Sequence, residues 1–515
     1  MSIRIGEAQR ANSNSTSRYL LPAFCGLIFI LGCLLHYQRG YFSNAQYYLH
    51  NAGADDAYIS YRYGWNLARS GILAWNESGF RRTEGFTNPL WVFLSAAWSL
   101  IGNKDLVYPA MTITSVILTA AILIFLAFRI QANNSTNTSL IGIFLLSANP
   151  ILWSHTTSGL ESGIFGALIG LAAYISIFDN VKSARYLAGL IIITTFLRSD
   201  GFIYILILLI ALLAAKIKSW KQVSLGLISG TILLFGWRIL TFGKFLPNTA
   251  VAKLNFPVYE RILPGIQYFL ASLPAIIPLI VIGLLALRYA PREQQIAAGL
   301  VLSGWSAYYI YIGGDTYLER HIIGFMFLLA GTASLQSNRT DTDKKQGFIR
   351  IGLYLALMYV PLVMIGDARF DYLKVKPPDP WILLGKEIEK DRDRYGVIVI
   401  GPAGKIPFFA GGDFVDELGL NDPYLSTLKR DQFIPGHGAG SRKSAVEIAN
   451  AKNHNFSFFA FGNELDLNNV NQVWLWIDDV TSTGGVHHSL TNTDAPKIIA
   501  SNPNYYSLIY QGISP

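Results

Sequence analysis

Residues 111–128 read MTITSVILTAAILIFLAF, a run without one charged side chain. A helix that crosses the hydrocarbon layer needs about 20 mostly apolar residues. Inside that layer every backbone N–H and C=O must be satisfied within the segment, so such a run is read as a helix. The same reading applies to Tyr19–Leu35, Ile191–Ala215, Ala271–Leu287 and Ile351–Ile365. In all, about 11 or 12 apolar segments can be marked along the 515 residues. The expected fold class is therefore mainly α: a polytopic membrane helix bundle.

Composition agrees. The chain is 51% hydrophobic and 14% charged, against about 25% charged for an average soluble domain. The formal charge is +8, but Lys and Arg sit mostly at the ends of apolar blocks, where they set topology. Nucleic acid is therefore not an expected partner; the lipid bilayer is. The two cysteines, Cys25 and Cys33, lie inside the first apolar block and suggest neither a disulfide framework nor a thiolate site. Arg4, Arg10 and Arg18 precede that block as in a signal peptide, but no small-residue cleavage site follows. It is read as a retained helix.

The positive-inside rule supplies a frame. Lys216, Lys218 and Lys221 mark one cytoplasmic segment, and Arg339, Lys344 and Lys345 another. Helix Val223–Leu240 then runs outward, Thr241–Tyr268 lies outside, and Phe269–Leu287 returns. Ile296–Ile312 exits, Gly313–His321 lies outside, and Phe348–Ile365 leaves again. The N-terminus is expected inside. Residues 1–368 form the expected membrane domain, with 39–87 as its first outer loop. The block Asn88–Ile101 breaks the required parity if it is counted as a full span. Residues 369–515 are polar and long enough for a small extracytoplasmic α/β domain. There, Tyr395–Ile400 and Gln472–Val480 read as strands, and Trp381–Arg394 and Ser444–Ala449 as helical.

The first outer loop carries the densest chemistry. It contains Asp55-Asp56, then Tyr58, Tyr61 and Arg62, and Arg82-Thr83-Glu84-Gly85-Phe86-Thr87-Asn88-Pro89-Leu90-Trp91. Two acids at the start of a helix-like run have a plain use as an N-cap and a dipole-matched neighbour. They also suit a general base at the membrane surface, since a helix start favours an ionised carboxylate. Adjacent helical residues point about 100° apart, so unequal roles are expected.

The run from Asp55 through Trp91 resembles the first outer loop of the mycobacterial terminal arabinofuranosyltransferase family. That family belongs to the GT-C superfamily of polyprenyl-phosphate-sugar-dependent enzymes. Other stretches resemble it too: Asn149-Pro150, Ser158-Gly159-Leu160-Glu161, Leu197–Gly201, Leu246-Pro247-Asn248-Thr249 with Lys253, and Gly313-Gly314-Asp315 with Arg320. Gly401–Phe409, Asp416, Gly419-Leu420 and Pro435-Gly436-His437 complete the set. Each is weak alone; order and spacing together point to the superfamily more than to one sugar.

The resemblance implies a sugar transferase in a bacterial inner membrane. Its partners would be a polyprenyl-phosphate-linked sugar donor and a glycan or glycolipid acceptor. The catalytic Asp carried over is Asp55 or Asp56, with Asp55 favoured. The donor phosphate needs cationic partners, and Arg62, Arg198, Lys253, Arg320 and His321 all fall on the outer side of the frame. Singly, each has a plain use as a snorkelling anchor. Glu84, Asn88, Glu161, Asp200 and Asp315 are expected acceptor or sugar contacts, although Glu161 and Asp200 also suit helix ends. Asp315 follows two glycines that allow close approach of a sugar or a metal. No cofactor is required, a divalent cation is left open, and the eight histidines show no zinc spacing. Gly401–Lys405 lacks the spacing of a phosphate loop. Two other classes fit many helices: a lipid-linked sugar flippase or transporter, expected to show charged or broken helices mid-membrane, and a non-catalytic envelope scaffold.

Overall fold

The computed structural model describes residues 2–43, 49–50, 52–133, 140–179, 186–338, 367–373, 376, 378–390, 392–434, 437–452, 456–461, 474–477, 486–490 and 506–511. Arg339, Lys344, Lys345, the segment 348–365 and Pro435-Gly436 lie outside these residues, as do the side chains of Arg4, Arg10 and Arg18. The described chain is mainly helical with a small sheet. Four helical stretches are long and apolar enough to cross a membrane: Leu20–Arg39, Lys104–Ala132, Trp220–Phe242 and Val258–Leu287. Shorter apolar helices are Pro89–Ile101, Ser162–Phe178, Leu187–Leu197, Gly201–Ala214 and Ile323–Leu335. The polytopic helical character read from the apolar blocks is met to this extent.

Some boundaries differ from the expectation. The block Ile191–Ala215 is two helices, Leu187–Leu197 and Gly201–Ala214, parted at Arg198-Ser199-Asp200. Apolar residues run up to these three and resume directly after them, and the charged pair divides the helix. The helical stretch expected from Phe269 starts earlier, at Val258, with a 3-10 turn over Leu273–Ile276. Pro89–Ile101 has 13 residues. At 1.5 Å per residue it spans about 20 Å, short of the roughly 30 Å hydrocarbon layer.

The chain divides into two compact units. The first comprises residues 1–45, 112–234 and 265–374. Here the turns at 158–161, 198–200 and 313–321 meet through Glu161, which bonds both Arg198 and Arg320. Helix Ser162–Phe178 leads away from that cluster, and at its far end Asp179 pairs with Arg129. Helices pack closely where glycine allows: a Cβ at Gly166 or Gly170 would run into Ile323 or Phe327 of the facing helix.

The second unit comprises residues 46–111, 235–264 and 375–515. Its helices Asp55–Ser70 and Pro89–Ile101 pack together, and Ser60 Oγ donates to Asn88 Oδ1 at 2.9 Å. Its sheet orders Phe414–Asp416, Val397–Ile400, Phe456–Phe461, Tyr506–Gln511, Trp474–Ile477 and Val486–Leu490. The first three strands run parallel, and the remaining pairings are antiparallel. Register places Val399 opposite Val415 and Phe458. Helices Pro380–Lys390 and Arg442–Lys452 accompany the sheet. One apolar core draws on the loop and the tail together: Tyr63, Trp75 and Phe86 pack with Leu384, Ile398, Ile406 and Phe414. The strand and helix expectations for the tail correspond to these elements.

Glu84 and Arg238 form a buried pair in this unit, with Oε2–Nε at 2.5 Å and Oε1–Nη2 at 3.0 Å. Removing one partner strands the other charge, at a cost of about 3–5 kcal/mol. Arg238→Met is therefore expected to lower thermal stability in detergent sharply. The double variant Glu84→Gln/Arg238→Met is expected to recover most of that loss. Equal melting of Arg238→Met and wild type would contradict the pair's importance.

Candidate functional site

Helix Asp55–Ser70 begins with both acids in its first turn. The residue at its cap position is Ala54, whose side chain has nothing to offer. The cap reading of Asp55 is thereby corrected: Asp55 is the first helical residue, not the cap. Its carboxylate turns instead to the tail. Gly404 N donates to Oδ2 at 3.0 Å and Lys405 N donates to Oδ1 at 2.7 Å. These N–H groups open helix Lys405–Ala410, so Asp55 caps a helix distant in sequence from its own. Gly404 is needed there, because a Cβ would collide with the Asp55 carbonyl oxygen. Asp55 is 6% exposed, whereas Asp56 is half-buried. Burial pushes the Asp55 carboxyl up to about 7, against the opposing effect of the two N–H donors and Lys405.

Lys405 is fully buried, and its ammonium pairs with Asp379 Oδ2 at 2.7 Å. Asp379 Oδ1 in turn accepts from Trp381 N at 3.1 Å and Ile382 N at 3.4 Å, at the start of helix Pro380–Lys390. Sequence reasoning missed Lys405 and Asp379. The glycines and proline of Gly401-Pro402-Ala403-Gly404 suit a turn, and nothing local says what that turn meets.

The other candidates of this unit have mostly structural partners. The Arg62 guanidinium donates to the carbonyl oxygens of Trp75, Pro407 and Gly412. Its expected phosphate contact competes with all three. Glu84 holds Arg238, and Asn88 accepts from Ser60. Asn248 Nδ2 donates to the carbonyls of Gly419, Leu420 and Asp422. Two of the stretches singled out in sequence thus bind each other. Lys253 is half-buried in helix Asn248–Leu254. Asp416 accepts from Leu418 N, Asn421 N and Asn421 Nδ2, and burial pushes its carboxyl up to about 7.

The first unit gathers the remaining candidates. Arg198 Nη1 and Arg320 Nη2 converge on Glu161 Oε1, at 3.2 and 2.8 Å. Arg198 also holds Asp200 at 2.8 Å, and Asp315 Oδ2 lies 3.5 Å from both Arg320 Nη1 and His321 Nε2. The Tyr204 hydroxyl and His321 Nδ1 are 2.8 Å apart. Burial pushes His321 down to about 4, partly offset by Asp315. It is an uncharged imidazole near neutral pH, so the cations of this cluster are the arginines. Tyr268, Tyr308 and Tyr309 pack around it. Glu319 and Arg369, also missed from sequence, pair beside it at 2.8 Å, and His155 lies 3.7 Å from Glu319. Positive φ at Gly313 and Gly314 lets the chain turn into the cluster. Among the described residues, no His, Cys, Asp and Glu group could hold a metal ion.

Compared with known proteins, the chain matches no family model and no curated protein.

The raised carboxyls have a consequence for stability. The ordinary carboxyl value is 3.8 and the folded value about 7 for Asp55 and Asp416. Within that window the folded chain holds protons that the unfolded chain has released. Their contribution to stability is therefore full in acid and is lost as pH rises through the window. Wild type is expected to lose melting temperature between about pH 5 and about pH 7.5 by more than Asp55→Asn/Asp416→Asn does. Identical slopes for the two proteins in detergent melts would contradict these assignments.

Proposed function

We propose that this chain is a membrane glycosyltransferase. It would move a sugar from a polyprenyl-phosphate donor to a cell-envelope glycan or glycolipid, on the outer face of a bacterial inner membrane. Arabinofuranose is one sugar of the expected class. The observation that carries the proposal is the acid pair at the start of helix Asp55–Ser70, whose first member, Asp55, is bonded to residues of the tail.

The donor already contains an activated sugar–phosphate bond. The protein must orient an acceptor hydroxyl, take its proton and stabilise the leaving phosphate. The acid pair is the assigned base. Within the first unit, Arg198 and Arg320 are the expected phosphate cations, brought together on Glu161. Arg62 is better read as a structural residue, given its three carbonyl partners. Sidedness is supported by the first unit: the turns that the positive-inside frame puts outside meet at one end, and the Arg129–Asp179 pair lies at the other. Leaving Pro89–Ile101 out of the count of spans restores the parity of an N-inside, C-outside chain.

A lipid-sugar transporter is the second reading, and broken helices favour it. Ile141–Ser147 and Pro150–Thr157 part at Asn149, whose Nδ2 donates to Ala275 O within the 3-10 turn Leu273–Ile276. Such interruptions line substrate paths in transporters. Here the Asn149 side chain also accepts from Ile151 N and Leu152 N, so the break is internally bonded.

The test is sugar transfer from a radiolabelled polyprenyl-phosphate donor pool in membranes with matched protein levels. Asp55→Asn/Asp56→Asn is expected to lose about 10²–10⁴-fold in rate, the usual range for a general base. Full transfer by the double variant would remove the acid pair from the chemistry. Movement of intact donor across the bilayer, with no sugar released, would favour the transporter.

A further inference from the structure

The two acids differ in burial. Both Asp55 oxygens accept main-chain N–H groups from the tail, and the residue is 6% exposed. Asp56 follows about 100° further round the helix and is half-buried. The segment that grips Asp55 is itself anchored. Lys405 cannot withdraw without giving up its buried ion pair with Asp379. Asp379 cannot move without freeing the N–H groups of Trp381 and Ile382. Three helix starts, at Asp55, Lys405 and Pro380, are thus linked in series by two carboxylates and one ammonium. Tyr58, one turn into the first helix, packs its ring beside the same ammonium at 5.8 Å.

Resting on the transferase reading, we propose that Asp55 is a positioning residue, locked to the tail by a Lys405–Asp379 anchor, and that Asp56 is the acid presented to the acceptor hydroxyl. A base must offer an oxygen lone pair within hydrogen-bond reach of the proton it takes. Asp55 already directs each oxygen at a buried donor. Its bonds fix the helix start, and that fixes the direction in which Asp56 leaves the helix. Lys405 acts at one remove, by holding the donors in place.

Carboxyl labelling tests the lock without any transfer assay. Detergent-purified protein is treated with a water-soluble carbodiimide and a glycine ester, and modification is read by peptide mass spectrometry. Asp105, whose side chain is 57% exposed, reports reagent activity, and buried Asp416 reports intact folding. In wild type, Asp56 is expected to label several-fold faster than Asp55. Lys405→Met is expected to raise Asp55 labelling several-fold while Asp416 stays protected, and Lys405→Arg to restore protection. Equal labelling of the two acids in wild type overturns the inference. So does a Lys405→Met protein whose Asp55 stays protected. If that variant also exposes Asp416, the wild-type comparison decides alone.

The transfer assay gives the second arm. Asp56→Asn is expected to abolish turnover. Asp55→Asn and Lys405→Met are expected to lower kcat with KM little changed, and Lys405→Arg to recover activity. Loss of transfer on Asp55→Asn with full activity in Asp56→Asn overturns the inference and leaves the enzyme reading standing. A wild type that transfers nothing counts against the enzyme reading, and the labelling result still judges the lock.

Discussion

The hold of Asp55 on the N–H groups of Gly404 and Lys405 ties together residues about 350 positions apart in the chain. Each bond is ordinary. Their setting makes them a constraint, because donor and acceptor are both out of water, where a lost bond is not replaced by solvent. The Lys405–Asp379 pair behind them is buried as well, so breaking it costs more than breaking an exposed pair. The shared apolar core of Trp75, Ile398, Ile406 and Phe414 surrounds these polar links with surface that gains nothing by separating. Residues 46–111 and the tail from 375 therefore form one unit.

A different balance governs the first unit. Arginines and carboxylates buried among apolar helices are stable only when paired. Glu161 accepts from two arginines through one oxygen, and Asp200 and Asp315 complete the shell. This arrangement meets the electrostatic demand of the helix ends. It also keeps two guanidinium groups together, where an anionic ligand could share them. A neutral His321, bonded to Tyr204, keeps that cluster from gaining further positive charge.

Much of the fold was legible in the sequence because helix in a bilayer is dictated by long apolar runs. MTITSVILTAAILIFLAF could hardly be anything else, and it lies within helix Lys104–Asn133. The interruption at Arg198-Ser199-Asp200 was harder to see, since the run of apolar residues resumes at once on both sides. The tail strand Val397–Ile400 was legible from its unbroken β-branched sequence. At the site, Asp55, Glu161, Arg198 and Arg320 could be picked out as charges in improbable places, but not their partners. Pairing of Asp55 with Gly404, or of Glu84 with Arg238, depends on tertiary approach, which no local spacing encodes. For that reason Lys405 read only as the end of a stretch without phosphate-loop spacing, and Arg62 as a phosphate cation.

The central claim is that the acid-pair unit works on the outer side of the membrane, where a lipid-linked donor and a glycan acceptor meet and nucleotides are absent. Its most direct measurement is single-cysteine labelling of intact cells with a membrane-impermeant maleimide, on a background lacking Cys25 and Cys33. Lys390→Cys reports the acid-pair unit, with a side chain 70% exposed. Lys218→Cys reports the segment assigned to the cytoplasm and is also exposed. The account predicts labelling of Lys390→Cys in intact cells, and of Lys218→Cys only after the membrane is opened. The reverse pattern would put the acid pair on the cytoplasmic side and contradict the account.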